Sequence, residues 1–70
     1  MENICLKFGK NLQKIRKERG LSQEKLAELT DLHRTYISDV ERGKRSISLN
    51  NISKLAKALN IDEYELFIFN

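Results

Sequence analysis

With 70 residues, no proline, three glycines, 40% hydrophobic and 33% charged residues, the chain has the composition of a small packed helical protein, not of a disordered or disulfide-built one. A chain of this length buries only about 60% of the surface its unfolded form exposes, so one domain over 1–70 and modest stability are expected. The net charge of +3 is unevenly placed, since residues 1–45 hold 11 Lys/Arg against 7 Asp/Glu and residues 46–70 hold 2 against 3. That asymmetry favours a polyanion against one side of the fold, beside the plainer reading of a mixed, solvated surface. The single cysteine, Cys5, cannot form an internal disulfide, and no apolar run reaches the length of a signal-peptide core or membrane span. A cytoplasmic protein with no membrane partner is expected, and Met1 opens onto charged helical sequence as a complete short protein would.

In chain order, Phe8, Leu12 and Ile15 recur at i, i+4, i+7, which predicts an amphipathic helix from Leu6 to Arg19 with Gly20 as the left-handed residue that ends it. Ser22 can cap a second helix, Gln23 to Thr30, with Leu26 and Ala27 facing inward. Thr30-Asp31-Leu32 supplies a tight turn, because aspartate tolerates left-handed backbone better than most residues. A third helix follows, with Ile37 and Val40 as its thin apolar stripe and Arg34, Thr35, Ser38, Asp39 and Arg42 on a broad polar face. Gly43 marks its end, Lys44-Arg45-Ser46-Ile47 makes a basic loop, and Ser48 caps a fourth helix whose Leu49, Ile52, Leu55, Ala56 and Leu59 face the core. Asp62 and Glu65 have capping-box spacing for a short fifth helix carrying Tyr64, Leu66 and Phe67. The expected architecture is all-α, a compact five-helix bundle.

Two short helices joined by a tight turn, the second polar on its outer face, are what the major groove of DNA requires of a reading element. Gln23, Ala27, Ile37 and Val40 fall at helix-turn-helix spacing: a polar start to the positioning helix, a small residue where the helices touch, and two aliphatics anchoring the recognition helix. Around them, Gly20-Leu21-Ser22-Gln23, Leu26-Ala27, Tyr36-Ile37-Ser38, Glu41-Arg42-Gly43-Lys44-Arg45 and Leu55-Ala56-Lys57-Ala58-Leu59 resemble the phage Cro and cI repressor (Xre-like) family. Leu32-His33-Arg34-Thr35-Tyr36-Ile37-Ser38 resembles the controller proteins of restriction-modification systems. The chain departs from the family at Asp31, where glycine is usual, and at Ser46-Ile47-Ser48, where asparagine-proline-serine is common.

Among site residues, Arg34 can donate two parallel hydrogen bonds to guanine, and Thr35 can offer a methyl to thymine or a hydroxyl to a base edge. Asp39 either accepts from cytosine N4 or orients Arg42. Tyr36 is either core or laid along the DNA backbone with its hydroxyl on a phosphate. Ser38 and His33 suit phosphate better than bases, and Lys44, Arg45 and Ser46 lie in the loop expected beside the phosphates, where simple solvation is the alternative. The resemblance implies that Gln23 clamps the DNA backbone and that Arg16 and Glu41 pair as a buried salt bridge. Tyr64, Leu66, Phe67, Ile68 and Phe69 are too many large apolar groups for one short helix to bury. Tyr64, Phe67, Ile68 and Phe69 are therefore expected to form a homodimer seam, unless Phe69 folds back as a plug on the core.

One His and one Cys on different helices cannot make a zinc site of the usual four ligands, so no metal is expected. No nucleophile elbow or phosphate-cradling glycine loop is present, and enzyme activity, a cofactor and a small-molecule ligand are not expected. The function implied is a sequence-specific regulator of transcription on double-stranded DNA, binding an inverted repeat as a homodimer. The controller resemblance adds control of its own gene and that of a restriction endonuclease. The alternatives are an antitoxin-type protein-interaction module and a phage lysogeny repressor or Cro. RNA binding is disfavoured, because exposed aromatics for stacking unpaired bases are scarce.

Overall fold

The computed structural model describes residues 3–69. It contains helices α1 (Ile4–Glu18), α2 (Gln23–Thr30), α3 (Arg34–Glu41) and α4 (Leu49–Leu59), followed by a 3₁₀ turn over Glu63–Phe67. Helix α1 starts two residues ahead of Leu6 because Asn3 caps it, its side-chain oxygen accepting from the Leu6 amide at 3.0 Å. Ser22 and Ser48 cap α2 and α4 in the same way, through the amides of Lys25 and Asn51. All four helices close with one motif. A left-handed residue (Gly20, Asp31, Gly43 or Asn60) turns the chain, and two amides bond back to carbonyls three and five residues earlier, as Leu32 does to Ala27 and Lys44 to Asp39.

The fifth helix expected at the carboxyl end is a 3₁₀ turn instead. Its Asp62–Glu65 capping box does form, but Glu63–Phe67 gives only five residues before the backbone extends at Ile68. So short a run cannot repay the nucleation of an α-helix and settles into i→i+3 bonds. The turn is tied down from both sides. Asn11 of α1 donates to the carbonyls of Leu66 (2.8 Å) and Glu65 (3.1 Å), and Ser53 of α4 donates to the Glu63 carboxylate, holding that carboxyl below its usual 4.5.

Phe8, Leu12, Leu26, Ala27, Ile37, Val40, Ile52, Leu55, Ala56, Leu59 and Leu66 form one core to which every helix contributes. Leu49, expected there, is 82% exposed. As the first residue of α4 it precedes the turns of that helix that are buried, which begin at Ile52. Helices α1 and α3 approach so closely that a Cβ at Gly9 would collide with the backbone carbonyls of Val40 and Glu41. That contact fixes the tilt of α3 against the core, and so fixes which of its faces is left outside.

Candidate nucleic-acid interface

Helices α2 and α3 meet across the turn Asp31–His33, with Ala27 buried where they touch and Asp31 in the left-handed conformation at φ 58°. Because Ile37 and Val40 are buried, the opposite edge of α3 faces out: His33, Arg34 and Thr35 are exposed, and Ser38 and Asp39 are half-buried behind them. Lys44, Arg45 and Ser46 are exposed on the loop that follows. His33 stands at the amino end of α3, whose amides receive no side-chain cap from it.

Beneath this surface lies a buried ion pair. Arg16 Nε donates to Glu41 Oε2 at 2.6 Å and a second guanidinium nitrogen to Oε1 at 3.1 Å, while the third donates to the Leu21 carbonyl at 2.8 Å. Gln23 joins the pair by donating to Glu41 Oε1 at 2.9 Å. That uses one of the two amide hydrogens, and the Gln23 oxygen accepts from Arg34 at 3.4 Å. The chain Arg16–Glu41–Gln23–Arg34 thus connects the core to the first residue of α3. Among the described residues, no buried side-chain nitrogen or oxygen lacks a partner, so the pair is fully satisfied despite its burial.

Asp39 accepts from Arg42 at 2.8 Å, which balances its charge on the outer face. Tyr36 is neither fully core nor free: its ring packs against the core, Arg45 stacks over it at 5.2 Å, and its hydroxyl meets Asn51 of α4 at 3.1 Å. Ser46 Oγ lies 3.8 Å from Cys5 Sγ. Asn51 and Gly9 were not anticipated from the sequence. No periodicity links Asn51 to a tyrosine fifteen positions earlier, although a glycine inside a strong helical pattern is itself a signal of close backbone approach.

At the carboxyl end, the Phe67 ring sits 5.2 Å from Phe8 and 6.2 Å from Phe69, and Lys7 lies over Phe69 at 6.0 Å. Phe69 is half-buried against this group, whereas Tyr64, Phe67 and Ile68 remain exposed. No described helix is long and apolar enough to cross a membrane, and no three potential ligands cluster for a metal among the described residues.

A positioning helix, a left-handed turn and a recognition helix with an outward polar edge define a helix-turn-helix regulator of transcription, which binds DNA and is not an enzyme class. The helix-turn-helix family matches residues 12–66, and the chain belongs to it. It is 53% identical to the control protein C.BamHI of Bacillus amyloliquefaciens over 96% of this chain and 84% of that one. It is 48% identical to the control protein C.MunI of a Mycoplasma species over 96% and 92%. The crystal structure of the restriction-modification controller protein C.AhdI from Aeromonas hydrophila superposes with a TM-score of 0.89 at 54% identity, covering 90% of this chain and 96% of that one.

Proposed function

We propose that this chain is the controller of a restriction-modification operon, acting in the cytoplasm as a homodimer on an inverted-repeat operator that includes its own promoter. The observation that carries the reading is the outward edge of α3, where Arg34 and Thr35 are exposed while Ile37 and Val40 lock the helix to the core. Similarity to control proteins along nearly the whole chain supports the biological setting.

In this reading Arg34, Thr35 and Asp39 meet base edges: guanine O6 and N7 for Arg34, thymine for Thr35, and cytosine N4 for Asp39. Gln23, His33, Ser38, Lys44, Arg45 and Ser46 line the flanking phosphates, with the Tyr36 ring behind Arg45, and these contacts fix register and supply salt-dependent affinity. The exposed Tyr64, Phe67 and Ile68, with Phe69 beside them, form the seam between two copies.

Selection of bound duplexes from a random pool tests the whole reading at once. The expected result is an enriched inverted repeat with half-sites centred about one helical turn, 34 Å, apart. An enriched site without a repeat overturns the dimer, and no enrichment overturns sequence-specific regulation.

A further inference from the structure

The loop between α3 and α4 carries Arg45 on exposed backbone, where a long cation ordinarily samples many rotamers and loses that freedom on meeting a phosphate. Here it has a platform. The Tyr36 ring lies under its guanidinium at 5.2 Å, within the distance of about 6 Å at which ring and cation attract. The ring is itself held at two points. One side packs against the core, and the hydroxyl is met by Asn51, whose own amide is fixed by the Ser48 cap of α4. Recognition helix, loop and following helix therefore converge on one side chain.

We infer that Tyr36 is a positioning residue for Arg45, its braced ring pre-setting the loop guanidinium for the DNA backbone. The inference rests on the reading of Arg45 as a phosphate contact. It also accounts for arginine at 45, because a planar guanidinium stacks on an aromatic face as a lysine ammonium does not.

The test measures binding of the intact protein to a duplex of scrambled sequence across a salt series, together with nitrogen relaxation of the Arg45 Nε–H in the free protein. Arg45→Ala is expected to weaken binding and to lower the salt slope by about one unit per subunit. Tyr36→Leu is expected to weaken binding about two- to fivefold, to mobilise the Arg45 Nε–H, and to have no effect when Arg45 is already alanine. Tyr36→Phe keeps the ring and its packing on the core but loses the Asn51 contact, so it should retain most of the Arg45 contribution. Arg45→Lys leaves the core untouched, so it reports on the stack even if Tyr36→Leu unfolds, and it should lose affinity while keeping its charge.

Additive losses for Tyr36→Leu and Arg45→Ala would overturn the inference alone, since Tyr36 would then act on DNA by itself. So would an Arg45→Lys variant equal to wild type, or a Tyr36→Phe variant as weak as Tyr36→Leu. If Arg45→Ala leaves binding to the scrambled duplex unchanged, the phosphate reading falls, and this inference with it.

Discussion

Arg34 is the residue on which the proposed base reading depends most, and its surroundings bear on how it would be ordered. A fully solvated side chain would have to be ordered by the DNA alone. Arg34 instead begins from a contact with Gln23, which Glu41 and Arg16 hold in turn. Arg34→Ala is expected to cost about 1–3 kcal/mol of operator binding and to relax discrimination at one base pair per half-site. Titration of matched and mismatched duplexes checks this, and unchanged affinity and preference would mean that Arg34 reads no base. Two separate ion pairs account for the acidic residues of α3. Glu41 is buried against Arg16 and Asp39 is paired with Arg42, so neither presents an uncompensated charge to phosphate.

At the level of elements, the placement of α3 depends on how near α1 can come to it, and Gly9 sets that distance. Alanine is the better helix former by about 1 kcal/mol. Gly9→Ala should nevertheless destabilise the fold by about 1–3 kcal/mol, because the added methyl meets rigid backbone carbonyls and not a side chain that could move aside. Urea unfolding checks the sign, and a variant as stable as wild type would show that the two helices separate at no cost. Most helix boundaries were legible in the sequence because Ser22, Ser48, Gly20, Asp31 and Gly43 each satisfy or turn specific backbone groups within a few residues, whereas the Asn3 cap that starts α1 two residues early was missed. Leu49 misled because apolar spacing reports a face but not where neighbouring elements end. The Tyr36–Asn51 and Gln23–Glu41 contacts were illegible because they join positions that only the tertiary fold brings together.

For the whole molecule, the question is what covers the exposed apolar residues at the carboxyl end. The tail folds part of the way back, with Phe69 half-buried beside Phe67 and Lys7, yet Ile68 stays 54% and Tyr64 65% exposed. Phe69 thus leans on its own domain, as the plug reading has it, and the proposed seam falls to the exposed Tyr64, Phe67 and Ile68. The proposed two-fold arrangement requires the recognition helices of two copies to lie about one turn of DNA, 34 Å, apart. Changing Ile68 and Phe69 together to Asp should give a folded monomer with much weaker, non-cooperative operator binding. Sedimentation and circular dichroism on the same sample check both halves of that expectation. A wild-type chain that stays monomeric at tens of micromolar, roughly the range of a weak two-fold contact, would sink the seam.

The left-handed residues that close the four helices carry a kinetic consequence. Helices are often stopped by proline, whose isomerisation adds a phase lasting tens of seconds or longer to refolding. This chain has no proline and stops its helices with Gly20, Asp31, Gly43 and Asn60 instead. Its folding is then limited by the docking of short helices against near neighbours, which is fast. Refolding from urea is then expected to finish without a phase lasting roughly tens of seconds, and stopped-flow refolding checks this.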